Sequence, residues 1–171
     1  MDEPVVNAPT RPAPTAAATV VAALEHAGIR RAVGVPDSQL AAVLDAMSER
    51  MPVTFTARED VAVAMAVGAD LAGERYAVFM KNAGLGTSLD AIVSLAFGAD
   101  VPLTLVIGWA GAGADKLPHH TVMGDRTLPL LTAVGIEHDI VPQDGADPSR
   151  CRTRAAACRT KRRPYALLVE P

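Results

Sequence analysis

The sequence has little of what marks several common classes of protein. Its 171 residues carry a net charge of only −3, with both signs mixed along the chain, so no overall field favours nucleic acid or an anionic membrane. No apolar run approaches the roughly 20 residues that span a bilayer, and the first residues lack the basic-then-apolar order of a secretory signal. We therefore expect a cytoplasmic protein that binds neither membrane nor nucleic acid.

Cysteine is also scarce. The chain has two, Cys151 and Cys158, and both fall on a predicted surface helix. Neither belongs to a CxxC motif or has a His pair at ligand spacing, which argues against a zinc site and predicts reduced thiols. No metal site is expected in this chain.

Apolar residues make up 50% of the sequence, which is enough for one globular domain with a substantial core. The first 15 residues differ, since prolines stand there among small residues: Pro4, Pro9, Pro12 and Pro14. This composition predicts a disordered tail over residues 1–15, followed by a single domain over residues 16–171.

Short apolar strands alternate with helical patterns along the domain. The predicted strands cover residues 31–35, 53–57, 76–80, 102–107, 139–141 and 165–169. The predicted helices cover residues 16–27, 38–49, 59–72, 88–97, 128–134 and 148–160. This alternation implies an α/β fold, a doubly wound, mostly parallel six-stranded sheet with helices on both faces.

One acidic residue, Glu59, stands where the second predicted strand gives way to a helix. In an open α/β sheet the carboxyl ends of the strands are where ligands bind. The residues that follow at helical spacing, Ala62, Met65 and Ala66, are apolar, and such neighbours disfavour the charged form of a carboxylate. Glu59 is therefore a candidate proton donor or acceptor, although a first-turn acid stabilised by the helix dipole fits the same pattern.

Three further loops are predicted at the same edge of the sheet, over residues 34–40, 81–88 and 108–127. Local structure offers an explanation for each. Pro36 can end a strand and Asp37 can cap a helix, residues 82–86 can form a plain turn, and adjacent histidines on a surface loop are often inert. A metal site at those histidines is discounted, because no carboxylate or Cys partner has ligand spacing.

Taken in order, the four loops carry the motifs Gly-Val-Pro-Asp-Ser-x-Leu, Arg-Glu-Asp-x-Ala-x-x-Met-Ala-x-Gly-Ala-x-Leu-Ala-Gly, Asn-Ala-Gly-Leu-Gly-x-Ser and Pro-His-His-x-x-Met-Gly. In this order and spacing they resemble the pyrimidine-binding domain of thiamine diphosphate-dependent decarboxylases. The likeness is to the α subunit of sulfopyruvate decarboxylase and the N-terminal half of phosphonopyruvate decarboxylase, and it covers residues 16–171.

The resemblance implies that Glu59 hydrogen-bonds the aminopyrimidine ring of thiamine diphosphate. Proton exchange there prepares the cofactor to attack the carbonyl of a 2-oxo acid. The resemblance further implies that His120 shuttles protons at the substrate. It also implies cofactor contacts from Asn82, Gly84, Leu85 and Gly86, and substrate contacts from Asp37, Ser38, Lys81 and His119.

Some residues depart from the family pattern. Lys81, Ala83 and Thr87 stand where the family usually has Gln, Ser and Asn, and Ala110 replaces the arginine of a Trp-Arg-Gly sequence. If that arginine grips a sulfonate or phosphonate through two hydrogen bonds, Ala110 removes the grip. The substrate could then carry a carboxylate or an uncharged group, or Lys81, Arg126 or a partner residue could supply the charge.

Enzymes of this family hold the diphosphate through Mg²⁺ with a Gly-Asp-Gly sequence and a later Asn, and neither pattern is found here. The resemblance therefore implies a β subunit that holds the diphosphate and most of the Mg²⁺ site, in a hetero-oligomer whose active site lies between chains. The predicted function is the α subunit of a decarboxylase that converts a small 3-substituted 2-oxo acid to an aldehyde and CO₂. A carboligase subunit and a non-catalytic regulatory subunit are the alternatives.

The predicted helix over residues 148–160 and the residues after it are basic. Arginine and lysine cluster there without an acidic residue, at Arg150, Arg152, Arg154, Arg159, Lys161, Arg162 and Arg163. A solvated outer face is the first interpretation, and docking to an acidic partner is the second. No aromatic residue is interleaved to stack on bases, which argues against nucleic-acid binding.

Overall fold

A computed structural model describes residues 14–144 and 147–171, and the tail predicted over residues 1–15 lies outside these ranges except for Pro14 and Thr15. The strands are β1 Arg31–Gly34, β2 Val53–Phe55, β3 Tyr76–Lys81, β4 Thr104–Gly108, β5 Glu137–Val141 and β6 Tyr165–Val169. The helices are α1 Ala16–His26, α2 Ala41–Ser48, α3 Glu59–Leu71, α4 Asn82–Ala91, α5 Pro118–Ala133 and α6 Pro148–Thr160. A 3₁₀ turn, Ser38–Leu40, leads into α2, and a π turn, Ile92–Phe97, continues α4.

The six strands form one sheet in the order β2-β1-β3-β4-β6-β5, and every neighbouring pair is parallel. Successive side chains of a strand point to opposite faces of the sheet, so each inner strand contributes side chains to two hydrophobic cores. Phe79 and Leu167 pack with α1, α2 and α6, whereas Val78 and Leu168 pack with α3, α4 and α5. The predicted doubly wound fold is confirmed, with a sheet that is parallel throughout.

β2 is the shortest strand and lies at one edge of the sheet. It has three residues, and its last, Phe55, is 63% exposed. The ring of Phe55 meets the ring of Phe79 edge to face, with 6.0 Å between the centroids. The prediction of a strand over residues 53–57 was therefore too long, because the strand ends at Phe55, the last residue that pairs with β1.

The predicted turn over residues 82–86 was wrong. Lys81 is the N-cap, and Asn82 begins α4 directly, so the glycines lie in the first turns of the helix. Amide groups in the first turn have no partner within the helix, and a cluster of glycines is tolerated better there than in a helix interior.

The predicted loop over residues 108–127 was also too long. α5 begins at Pro118, the position where the fixed φ of proline suits a helix, and it runs to Ala133. His119, His120 and Arg126 are therefore helical. Gly124 and Pro129, both inside the helix, lower its sequence propensity and conceal it from pattern analysis.

α6 is not a purely solvated face. Cys151 and Cys158 are each 1% exposed and pack in the core shared with α1, so their predicted surface position was wrong. Arg154 pairs with Asp139 at 2.9 Å, and Arg159 pairs with Asp70 at 2.7 Å. Small residues allow α6 to pack close to the core. Because α6 has no stripe of large apolar residues, its burial could not be predicted from such a pattern. None of the described helices combines the length and the apolar character needed to cross a membrane.

Candidate active site

The strand order creates a crevice at the carboxyl ends of β1 and β3. From β1 the chain moves outward to β2 and then returns to the other side of β1 to form β3. Ligands of open α/β sheets bind where the order reverses in this way. Asp37 follows β1, Lys81 ends β3 and Glu59 follows β2, so three predicted site residues lie around this crevice.

Glu59 lies directly against Gly84. A Cβ atom built on Gly84 would be 2.5 Å from Cγ of Glu59 and 2.6 Å from its Oε1, both far inside contact distance. Gly84 is not needed for an unusual φ, since its backbone is helical. It is needed because α4 and the Glu59 side chain share this space, so Gly84 fixes where the carboxylate lies.

The Glu59 carboxylate has no cation paired with it among the described residues. The neighbouring Arg58 instead makes two hydrogen bonds to Asp60, Nε to Oδ1 and Nη2 to Oδ2, each 3.0 Å long. Glu59 is partly buried. Of the apolar residues that follow it at helical spacing, Ala62 and Ala66 are 0% and 2% exposed, whereas Met65 is 41% exposed. The apolar surroundings expected from the sequence are therefore present in part.

A chain of three polar side chains crosses the other side of the crevice. Lys81 Nζ lies 2.7 Å from Nε2 of His120, and Nδ1 of His120 lies 2.7 Å from Oδ2 of Asp115. The side chains of His120 and Asp115 are only 14% and 10% exposed. β3 supplies the lysine, the first turn of α5 supplies the histidine, and the loop between β4 and α5 supplies the aspartate.

Asp115 is fixed in place by several donors. The amide of Gly111 donates to Oδ2 at 2.9 Å, the amide of Leu117 donates to Oδ1 at 3.2 Å, and Nε2 of Gln39 donates to Oδ2 at 3.2 Å. The Gly111 hydrogen bond, helped by those from Leu117 and His120, lowers the pKa of Asp115 to about 2. Asp115 therefore faces His120 as a carboxylate at any ordinary pH.

Sequence analysis missed Asp115. It stands in a loop of small residues and belongs to none of the four motifs, although it comes shortly before the Pro-His-His sequence. A bend makes the contact possible: Gly111 has φ of +84°, and a Cβ there would collide with the backbone oxygen of His120. The spacing of residues in the sequence does not predict that this loop approaches the helix so closely.

Asp37 faces the same group of charges. Its Oδ2 is buried without a hydrogen-bond partner in the part of the chain that the structure describes, and it rests on Gly108, where a Cβ would overlap it. Burial raises the pKa of Asp37, while the charges of Lys81 and His120 act in the opposite direction. Ser38 and His119, also predicted at the substrate, are exposed beside them, and the ring of His119 lies 4.3 Å from that of His120.

Asn82 ties the wall of the crevice together. It is 1% exposed, and its Nδ2 donates to the backbone oxygen of Ala110 at 2.9 Å and to Oγ1 of Thr127 at 3.0 Å. Its Oδ1 finds no partner within residues 14–144 and 147–171. Leu85 lies fully in the core, whereas Gly86 is open, with no atom within 4 Å of a Cβ built on it. The cofactor contacts of these residues remain predictions.

Within the described ranges, no three His, Cys, Asp or Glu side chains lie close enough together to hold a metal ion. The fit to a pyrimidine ring is better. The backbone at Gly84 and Gly86 offers a flat surface without side chains. The Glu59 carboxylate and the Asn82 Oδ1 atom, which has no partner among the described residues, offer polar atoms.

Comparison with known families places the chain in one of them. Residues 14–130 match the family model described as "Thiamine pyrophosphate enzyme, N-terminal TPP binding domain". The chain belongs to this family. Thiamine pyrophosphate is thiamine diphosphate, so the family assignment confirms the predicted cofactor and the predicted resemblance.

Curated relatives of this TPP binding domain are decarboxylases. The chain is 32% identical to the phosphonopyruvate decarboxylase of Streptomyces viridochromogenes, over 90% of this chain and 40% of that protein. It is 32% identical to "Sulfopyruvate decarboxylase subunit alpha" of Methanothermobacter thermautotrophicus, over 68% of this chain and 72% of that one. For the protein of the same name from Methanococcus maripaludis the identity is 31%, over 72% and 75%. All three relatives are named as decarboxylases, the enzyme class expected from the sequence.

The TPP binding domain thus spans less than half of the phosphonopyruvate decarboxylase and about three quarters of each α subunit. Glu59, Lys81, Asn82, Gly84 and His120 all fall within the matched residues 14–130.

Proposed function

We propose that this chain is the pyrimidine-binding subunit of a two-subunit decarboxylase that converts a small 3-substituted 2-oxo acid to an aldehyde and CO₂. The main support for the proposal is the position of the Glu59 carboxylate. It makes no ion pair among the described residues and lies against Gly84 beside the crevice. The relatives named phosphonopyruvate and sulfopyruvate decarboxylase support the reaction and the class of substrate.

Glu59 has one task in this proposal, which is to hold or exchange a proton with a nitrogen of the pyrimidine ring. When bound, thiamine diphosphate supplies a carbon nucleophile for the substrate carbonyl and accepts the electron pair left as CO₂ departs. Gly84 and Gly86 give the ring a surface without side chains, and the Asn82 Oδ1 atom is available as an acceptor.

The substrate would occupy the crevice between Glu59 and the Lys81–His120–Asp115 group. Lys81 supplies a positive charge in place of the family arginine that Ala110 replaces. This charge is suited to bind the carboxylate or another acidic group of the oxo acid. Asp37, Ser38 and His119 line the same side. Because Ala110 is 1% exposed, an arginine could not be accommodated there without rearrangement of the wall.

The partner in this proposal is a β subunit that holds the diphosphate and Mg²⁺. Two of the relatives are named as α subunits, which supports a heteromer. Val61 and Met65 are exposed apolar residues on α3, the helix that begins at Glu59, and Phe55 is exposed at the end of β2. A partner covering them would exclude water from the carboxylate and favour proton sharing. We place the complex in the cytoplasm.

The test is calorimetric titration of thiamine diphosphate with Mg²⁺ into this chain, into a candidate β subunit and into their mixture. We expect binding in the mixture alone, followed by CO₂ release from 3-substituted pyruvates. Glu59→Gln keeps the shape but not the proton, so it should reduce CO₂ release at least about 100-fold. Glu49→Gln, on the exposed end of α2, is the matched control. Normal activity of Glu59→Gln, or tight cofactor binding to the single chain, would refute the proposal.

A further inference from the structure

Both ring nitrogens of His120 are already occupied. Nδ1 lies 2.7 Å from the Asp115 carboxylate and Nε2 lies 2.7 Å from Lys81 Nζ, and the side chain is only 14% exposed. Asp115 is ionised and can only accept a hydrogen bond, so Nδ1 must carry the hydrogen. A neutral His120 then presents a lone pair at Nε2, and Lys81 must be the donor there.

The short contact between Lys81 Nζ and His120 Nε2 can contain only one hydrogen. If both groups were protonated, two positive charges and two donors would oppose each other at 2.7 Å, which is unfavourable in a partly desolvated site. The contact is therefore one hydrogen bond, which Nζ donates and Nε2 accepts. His120 has no nitrogen left to offer to a substrate, whereas an ammonium group has three donors and only one is used by His120.

The position of Lys81 agrees with this division of roles. It is the last residue of β3, at the crevice between β1 and β3, and no other hydrogen bond engages its Nζ within the described ranges. Asp37 faces it from the turn after β1, Asp115 and His119 surround His120, and Gln39 binds Asp115. These are the polar groups that bear on the pair.

We propose that Lys81, rather than His120, delivers the proton to the bound substrate, and that His120 and Asp115 are positioning residues that hold its amine. The assignment rests on the proposed function for its reaction. The carbon that has lost CO₂ uses its electron pair to form a C–H bond with a proton of Nζ, and an N–H bond of Lys81 breaks. The neutral amine remains hydrogen-bonded to Nε2 and takes its next proton from solvent water.

The decisive variant is Lys81→Arg. Arginine keeps the charge and can still donate to His120, but it does not release its proton. If Lys81 delivers the proton, Lys81→Arg and Lys81→Met should each lower kcat of the assembled enzyme about 100-fold or more. Lys161→Arg, at the end of α6, is the matched control and should leave kcat unchanged. Retention of kcat in Lys81→Arg would mean that Lys81 only binds an anion, and would overturn the proposal.

A second measurement does not need an active enzyme. Nitrogen NMR of the full chain, with its 4 histidines labelled and His120 assigned by His120→Gln, reports which ring nitrogen carries hydrogen. We expect hydrogen at Nδ1 in the wild type and in both Lys81 variants, because Asp115 only accepts, and we expect the Nε2 signal of a lone pair that accepts a hydrogen bond to persist in Lys81→Arg and to change in Lys81→Met. Hydrogen at Nε2 in the wild type, or no response to Lys81→Met, would refute the coupling.

The two proposals fail in different ways. A wild-type mixture that binds the cofactor but releases no CO₂ from any oxo acid refutes the proposed function, whatever the spectrum of His120. An active mixture in which His120→Gln loses kcat while both Lys81 variants keep it returns the proton to His120 and refutes the present inference alone.

Discussion

The carboxylate of Glu59 occupies the space that a side chain on Gly84 would need. The two residues come from different helices, α3 and α4, which pack side by side on one face of the sheet. The position of the candidate proton carrier is therefore determined by the absence of a single methyl group on the neighbouring helix.

Gly84→Ala should displace Glu59 and weaken cofactor binding by the assembled enzyme at least about tenfold, because an alanine Cβ would lie 2.5 Å from Cγ of Glu59. Gly68→Ala is the control, since Gly68 lies within α3 with nothing within 4 Å of a Cβ. That change should raise the free energy of unfolding by about 0.5–1 kcal/mol through helix propensity. Calorimetry and urea unfolding of the two variants check both statements. Unaltered cofactor binding in Gly84→Ala would show that Glu59 moves aside at no cost.

Asp115→Asn should disturb His120 without removing any large side chain. An asparagine amide has a donor where Asp115 has only acceptors, so it can impose hydrogen at Nε2 and break the contact with Lys81. We expect kcat to fall about 10- to 100-fold, the range typical for loss of an orienting partner. The same His120 spectrum used for Lys81 reports the change of tautomer directly.

The lowered pKa of Asp115 also predicts how stability depends on acid. A carboxylate whose pKa is depressed by folding contributes stability above its unfolded pKa, and this contribution is lost as pH falls toward its folded pKa. For Asp115 the window runs from about 4 down to about 2. Urea unfolding across this window should show a steeper loss for the wild type than for Asp115→Asn, and parallel curves would contradict the assignment.

Cys151 and Cys158 should be inert toward thiol reagents in the folded chain. Both are 1% exposed, and burial raises the pKa of Cys158 to about 11. A thiol with a raised pKa favours the folded state below its unfolded pKa, so stability should decline as pH rises from about 9 to about 11. Mass spectrometry after iodoacetamide treatment, with and without urea, tests the first point. Rapid labelling of native protein would place the thiols at the surface.

The buried Asp139 links β5, β6 and α6. It accepts hydrogen bonds from the hydroxyl of Tyr165 at 2.7 Å and from Arg154 at 2.9 Å, and it is 4% exposed. Asp139→Ala leaves the Tyr165 hydroxyl buried without a partner, which should cost about 1–3 kcal/mol of unfolding free energy. Glu137→Ala, on the same strand but half exposed, should cost less than about 1 kcal/mol. Equal losses in urea unfolding would argue against the network.

Much of the fold was predictable because a parallel sheet needs strands that are buried on both faces, and such strands are apolar. β4 and β6 are buried at every residue and were located within two residues by their composition. The starts of α4 and α5 were not located. Glycine and proline usually indicate turns, but here they allow tertiary contacts and begin helices.

The candidate site was predictable to the extent that its residues belong to motifs. Asp37, Glu59, Lys81 and His120 could be selected from sequence, but not the distances between them. Asp115 depends on the bend at Gly111 and on the first turn of α5, two features that only the folded chain brings together. The burial of Cys151 was missed because small residues, not large apolar ones, form the inner face of α6.

The brevity of β2 affects how the molecule can associate. An outermost strand with unpaired backbone groups is a template for further strands, and long, flat, apolar edges lead to aggregation. β2 offers only three residues, although Phe55 at its end is 63% exposed. A second chain therefore finds few backbone groups to continue the sheet at this side and must be recognised through side chains. The protein can keep an apolar surface beside its candidate active site without exposing an edge on which fibres could grow.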